Sequence, residues 1–350
     1  MITKIPTLDC SSAYLAVEQR DTPDSMPPSP NPDASRDFIQ IYRSDPQAVH
    51  AELHAGLLAE QPAVSPKYLY DALGSKLFEA ICELPEYYPT RTEAAIVECH
   101  LADIARAAGQ GVTLIDLGAG NCAKAARLFP ALRPVQYVPV DISVDFLRDA
   151  VCRLRQQSPH IRMIGVGMDF SASLELPDAV GQERRLFFYP GSSIGNFPPE
   201  QAAALLRRVR EACGPDGGLL IGVDLLKDRQ TLDAAYDDAL GVTASFNLNL
   251  LLHLNRLIGA DFDLRNWRHR GCFNEAHGRI EMHLEARRET RVSWRGGARR
   301  FLAGERIHTE SSYKYARHDF LQLLERSGFG RIQTWTDERG WFMVCHARVR

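Results

Sequence analysis

The chain has 350 residues, 45% hydrophobic and 24% charged, the balance expected of a soluble globular protein. Lys and Arg number 41 against 44 Asp and Glu, a net charge of −3, which gives no basic footprint for nucleic acid or an anionic membrane. No apolar run approaches the roughly 18–20 residues of a membrane helix; the best, GGLLIGVDLL at 217–226, is interrupted by Asp224.

The N-terminal MITKIPTLDCSSAYLAVEQRD has no basic start followed by an apolar block, so it does not read as a secretory signal. DTPDSMPPSPNPDAS at 21–35 holds five prolines and almost nothing apolar. That composition predicts a disordered tail over 1–37, with order from near Phe38. Residues 46–62 read as an amphipathic helix carrying His50 and His54 at i and i+4. The zincin pattern needs Glu after the first His, and Ala51 stands there, so the pair is read as a solvated face and no metal is expected. YLYDALGSKLFEAICELPEYYPTRTEAAI at 68–96 is rich in aromatics, and Pro85 and Pro89 break it before a new helix after Thr90.

Parallel strands are then expected at 112–117, 135–140, 161–167, 185–189 and 218–223, with helices between them, notably at 199–213. Beyond Asp224 the pattern changes: helix-like over 229–264, alternating over 266–297, helical over 318–328, then two strands around Glu338-Arg339-Gly340. No internal repeat is evident. The eight cysteines, at 10, 82, 99, 122, 152, 213, 272 and 345, form no CxxC pair, which predicts reduced thiols in a cytoplasmic protein.

TLIDLGAGNCAKAARLF at 113–129 places a strand, a glycine turn and a helix in succession. Gly118-x-Gly120-x-x-Ala123 fits a dinucleotide fingerprint and an S-adenosylmethionine (SAM) turn alike, and a plain tight turn is the bland alternative. Three acids favour SAM. Asp116 lies two residues before the first glycine, where a cationic methionine end tolerates it better than a pyrophosphate does. Asp141 ends the second strand, placed for two ribose hydroxyls. Asp169-Phe170 ends the third, placed for the adenine amino group and ring. Three such acids at successive strand ends mark where open α/β sheets bind ligands. The loop Pro190-Gly191-Ser192-Ser193-Ile194-Gly195-Asn196 offers no nucleophile, and Asn196 supplies a donor and an acceptor for a substrate.

LYDALGSKLFEAICELPEYYPTRTE, LGAGNCAK, PGSSIGNF, GVDLLKD, AYDDALGVTASFNLNLLLHLNRLIGADFDL, GRIEMHLEA and TESSYKY together resemble the histidine Nα-methyltransferases of ergothioneine biosynthesis, over residues 45–350. The resemblance implies a class I SAM-dependent methyltransferase fold, Rossmann-like and mostly parallel, closed by a C-terminal antiparallel hairpin. To it is added a smaller α+β substrate-binding domain. The SAM-binding domain would comprise 91–225 and 313–350, and the substrate-binding domain 38–90 and 226–312. The activity implied is three methyl transfers to the α-amino group of L-histidine, with its mono- and dimethyl forms as intermediates, in a monomer that engages neither nucleic acid nor membrane.

Carried over by position, SAM would meet Gly118, Ala119, Gly120, Lys124, Asp141, Asp169 and Phe170. Histidine would meet Tyr70, Phe78, Tyr87, Asn196, Tyr236, Met282, Glu310 and Ser312. Asn121-Cys122-Ala123 departs from the more usual Ser/Thr/Glu-rich turn, a change expected to be tolerated because the turn works through its backbone. Asn196 and Tyr236 would hold the substrate carboxylate, and Glu310 and Ser312 the imidazole. The π-faces of Tyr70, Phe78 and Tyr87 would favour a quaternary ammonium, and the amine proton would pass to water or Tyr70. Taken singly, Tyr87 and Tyr88 are ordinary core aromatics, Met282 is core and Glu310 is a solvated acid. Other readings are a related enzyme for another amine, such as a tryptophan derivative, a non-catalytic SAM-binding module, and a dehydrogenase.

Overall fold

Near-continuous apolar runs that end in an acid form strands buried on both faces, and the fold brings those acidic ends to one edge. The computed structural model describes residues 37–43 and 45–350; the proline-rich segment at 21–35 lies outside them. The strands are β1 (Phe38–Gln40), β2 (Thr113–Leu117), β3 (Gln136–Asp141), β4 (Arg162–Met163), β5 (Gly165–Gly167), β6 (Arg185–Tyr189), β7 (Gly218–Asp224), β8 (Trp267–Asn274), β9 (Arg279–Ala286), β10 (Thr290–Trp294), β11 (Gly297–Phe301), β12 (Arg306–Tyr313), β13 (Phe329–Thr336) and β14 (Phe342–Val349). The helices are α1 (Pro46–Leu58), α2 (Ala72–Cys82), α3 (Tyr88–Cys99), α4 (Leu101–Ala108), α5 (Ala123–Ala126), α6 (Phe129–Leu132), α7 (Val144–Gln157), α8 (Pro199–Cys213), α9 (Arg229–Tyr236), α10 (Val242–Ile258) and α11 (Arg317–Arg326).

The large sheet runs β1-β5-β3-β2-β6-β7-β14-β13, with β4 also beside β3. Neighbours from β1 to β7 are parallel, and β14 is antiparallel to both β7 and β13. This is the class I methyltransferase order with one added edge strand. Helices α3 to α7 share one apolar layer on the sheet, and α8 and α11 the other.

Two expectations are corrected. The third strand is split, because Ile164 separates β4 from β5. Residues 38–40, expected with the substrate-binding segment, pair with β5 instead. Gly165 makes room for this: a Cβ there would lie 2.5 Å from the Phe38 ring.

A third core gathers α1, α2, α9 and α10 around the antiparallel sheet β12-β9-β8 and the hairpin β10–β11. Trp267, Tyr88, Phe246 and Phe301 are among its large buried side chains. The expected continuous helix over 229–264 breaks at Asp238, whose carboxylate accepts from the Val242 and Thr243 N–H groups and so caps α10. His50 and His54 are corrected too. Both are half-buried against the hairpin: His50 Nε2 meets the Arg295 carbonyl at 2.6 Å, and Trp294 Nε1 donates to His54 Nδ1 at 3.1 Å. The block leaves the large sheet at Leu225 and returns beside it at Tyr315, where the two form a bridge. The end of β12 is thereby set against the carboxyl ends of the parallel strands.

Candidate active site

The turn after β2 is built for a ligand on its open side. Gly118 and Gly120 have φ of +69° and +53°, and a Cβ at either would have nothing within 4 Å. The left-handed backbone explains the glycines, and the empty space beside them is a cradle that side chains would fill. Cys122 also has positive φ, 64°, and is fully buried. Asn121 Oδ1 accepts from the Ala123 N–H at 3.1 Å, at the start of α5. Asp141 accepts from Gly120 N at 3.0 Å and Ser143 N at 2.8 Å. Burial raises its pKa against these hydrogen bonds.

Asp116 is buried below the turn. Tyr137 donates to its Oδ2 at 2.7 Å, while Oδ1 has no partner. Burial pushes this carboxyl up to about 7. Lys124 is not free: its ammonium lies 2.8 Å from Glu93 Oε2, and the other Glu93 oxygen accepts from Gly191 N. Lys124 thus links the glycine turn to the loop after β6. Asp169 accepts from Ser171 N at 3.0 Å, and the Phe170 ring meets Tyr189 edge-on at 5.7 Å between centroids. An orphaned carboxylate oxygen, an open glycine cradle and acids at the ends of β2 and β3, with a third just past β5, fit a cationic nucleoside donor such as SAM.

Beyond the strand ends stands a chain of aromatic rings. Phe246 and Phe78 lie 5.5 and 5.6 Å from Tyr70, Phe78 lies 6.2 Å from Tyr87, and Tyr87 lies 6.0 Å from Tyr236. Burial raises the Tyr70 and Tyr87 phenols well above their ordinary range, which keeps both protonated. Met282 is buried and faces Glu310 across the β9–β12 ladder.

Glu310 is 7% exposed, and its Oε2 is buried without a partner. Burial pushes its carboxyl up to about 7 against the pull of Lys314. Its charge acts on Tyr70, Tyr87 and Tyr236, so it belongs to the ring-lined space. Tyr236 Oη donates to Ser312 Oγ at 2.9 Å. Gly195 brings Asn196 to the same place. A Cβ on Gly195 would lie 2.7 Å from the Tyr313 carbonyl and 3.5 Å from Ser312 Oγ, so only glycine lets this loop seat on β12. The backbone of Tyr236 is fixed by His269, whose Nε2 meets its carbonyl at 2.8 Å while Asn247 donates to Nδ1.

A glycine cradle, acidic strand ends and an aromatic enclosure meeting a buried acid suit a nucleoside donor and a small polar acceptor. A family model described as histidine-specific methyltransferase, SAM-dependent, matches residues 49–349. The chain belongs to this family. The methyltransferase is 40% identical over 302 residues to the histidine N-alpha-methyltransferase of Mycolicibacterium smegmatis, a match covering 85% of this chain and 93% of that one. The histidine N-alpha-methyltransferase of Mycobacterium tuberculosis is 38% identical over 302 residues, covering 84% and 93%. Ergothioneine biosynthesis protein 1 of Neurospora crassa is 30% identical over 293 residues, 80% of this chain and 33% of that longer protein.

Sequence reading did not single out several residues that the structure brings beside the candidate site. Phe246 closes the aromatic chain from within α10. Tyr88, beside the expected Tyr87, turns away and donates to Asp224 at 2.7 Å. Asp224 is fully buried and also meets Lys227 at 2.6 Å and Lys314 at 2.8 Å. A usable signal was present in Glu310-x-Ser312-x-Lys314, whose period of two puts all three on one face of an extended chain. Among the described residues, no group of three or more His, Cys, Asp or Glu could hold a metal, and no helix is long and apolar enough to cross a membrane.

Proposed function

We propose that this enzyme transfers methyl groups three times in succession to the α-nitrogen of L-histidine, through the mono- and dimethyl forms. The product would be the trimethyl betaine hercynine, an intermediate of ergothioneine biosynthesis. The observation that carries the substrate is Glu310: a buried carboxylate with an unpaired oxygen inside an aromatic enclosure needs a donor from its ligand. An imidazole N–H supplies one.

When bound, SAM supplies a methyl group on a sulfonium. Gly118, Ala119 and Gly120 would receive it at the turn, Asp141 would accept its ribose hydroxyls, and Asp169 and Phe170 would take its adenine. Asp116, with Lys124 and Glu93 close by, would face the methionine end. Asn196 would hold the substrate carboxylate; Tyr236, expected to share that role, gives its one hydroxyl proton to Ser312 and would brace that serine, while Ser312 and Glu310 hold the ring. Methyl transfer needs a neutral amine lone pair in line with the sulfonium methyl, so these contacts act by positioning. Tyr70, Phe78 and Tyr87 present π-faces that favour a cationic amine as its N–H donors are replaced by methyls. With both phenols kept protonated, the amine proton leaves to water rather than to a tyrosinate.

The block 38–90 and 226–312, less the edge strand β1, is assigned to substrate binding, and 91–225 with 313–350 to SAM. Seven free cysteines among the described residues fit a cytoplasmic enzyme. Mass spectrometry after incubation with SAM and a panel of amino acids tests the substrate. Trimethylated histidine as the dominant product is expected; a preference for another amino acid would refute the assignment.

A further inference from the structure

We infer that Lys314 is a positioning residue that sets the direction of the hydroxyl hydrogen bonds reading the substrate ring, and so helps select an imidazole. This rests on the proposed placement of histidine between Glu310 and Ser312.

Lys314 is buried, and its ammonium has three acceptors around it: Asp224 Oδ2 at 2.8 Å, Tyr236 Oη at 3.0 Å and Ser312 Oγ at 2.9 Å. An ammonium has three protons and no acceptor, so all three are committed. Tyr236 Oη and Ser312 Oγ also lie 2.9 Å apart, with the tyrosine donating. Nitrogen and two hydroxyl oxygens thus form a closed triangle. Ser312 Oγ accepts from both partners, and its own proton is the one left to leave the triangle.

That proton points to a ligand needing a lone pair. Glu310, two residues earlier on the same face of β12, offers an acceptor instead. One acceptor and one donor on a single face match a neutral imidazole, which carries one N–H and one bare nitrogen. A phenyl or alkyl side chain matches neither.

Charge supports the same role. Asp224 is one carboxylate facing two ammoniums, Lys227 and Lys314. Tyr88 adds a neutral hydrogen bond to Asp224, and a further anion, Asp337, acts on Lys227. An ionised Glu310 restores the balance at Lys314. Removing Lys314 leaves Asp224 still paired with Lys227 and Tyr88, so the fold retains its main buried contacts there.

The test compares wild type with Lys314→Met, reading KM and kcat for histidine, the kcat/KM ratio of histidine to phenylalanine, SAM affinity by calorimetry and the melting temperature. Expected are a tenfold or greater rise in histidine KM, a smaller change in kcat, a reduced histidine preference and unaltered SAM affinity. The Ser312→Ala effect should be largely lost in the Lys314→Met background, because both changes act through one hydroxyl. An unchanged histidine KM and preference would overturn the inference. So would equal losses of SAM affinity and melting temperature with the preference kept, the pattern of a purely structural residue. Where the methionine variant does not fold, Lys314→Gln carries the same test. Wild type failing to methylate histidine would sink the proposed function itself; wild type succeeding while the variants keep their preference would sink only the role of Lys314.

Discussion

In the proposed site, Glu310 is costly to the unliganded enzyme and useful when its ligand arrives. An ordinary glutamate ionises near 4.5, whereas burial holds this one up to about 7. Between those values the unfolded chain has released a proton that the folded chain keeps, so this group lowers stability as pH rises through the window. A ring N–H reverses the preference by hydrogen-bonding the ionised form. Histidine binding should therefore release a proton below pH 7, tighten as pH rises toward 7 and, as far as this group is concerned, level off above it. Glu310→Gln should weaken histidine binding about 10- to 100-fold, the range for losing a charge-assisted hydrogen bond. It should also flatten that part of the pH dependence and leave the melting temperature at neutral pH equal or higher. Calorimetric titration from pH 6 to 8 checks this, and an unaltered pH slope would remove Glu310 from the ring. Asp116, Asp141 and Asp169 stood out in the sequence because each lies in or just past the end of an apolar strand. Lys314 was not, since a lysine in a polar run reads as solvated until the fold buries it.

At the scale of elements, the site depends on the approach of the loop after β6 to β12. Gly195 permits it, with a Cβ-to-carbonyl distance of only 2.7 Å to Tyr313. Gly195→Ala must push Asn196 away from Ser312, since backbone is what the methyl meets. Misplacement on the order of 1 Å can cost about 100-fold in rate, so kcat/KM for histidine should fall about 10- to 100-fold. SAM affinity should hold, because Gly118 and Gly120 sit on a different loop. Steady-state kinetics with calorimetry separates the two, and a variant with normal kcat/KM would show that the contact is dispensable. The parallel strands were readable because both faces are apolar. β12 was not, because its buried positions hold Thr309, Glu310, Ser311 and Ser312, and polar site residues erase the alternation that identifies a strand. The break before α10 was likewise hidden, since Asp238 and Gly241 sit inside a long apolar-periodic run.

The whole molecule divides the work between two kinds of core. Layers on both faces of the large sheet fix the acidic strand ends, while the aromatic core around α10 and the small antiparallel sheet would supply the acceptor side of the proposed site. The chain crosses between them twice at one place, Leu225 and Tyr315, and Asp224 with Lys314 binds the crossing. Sequence patterns gave the order of elements but not this crossing, which depends on long-range pairing. The central claim is that the arrangement presents the α-nitrogen, and no ring nitrogen, to the methyl donor in every round. Nuclear magnetic resonance of the product formed from histidine labelled with ¹⁵N at the α-position and excess SAM carrying a ¹³C methyl tests it directly. The account predicts one methyl signal of three equivalent carbons, all coupled to the α-¹⁵N. Methyl carbons without that coupling, or a reaction that halts after one transfer under excess donor, would contradict it.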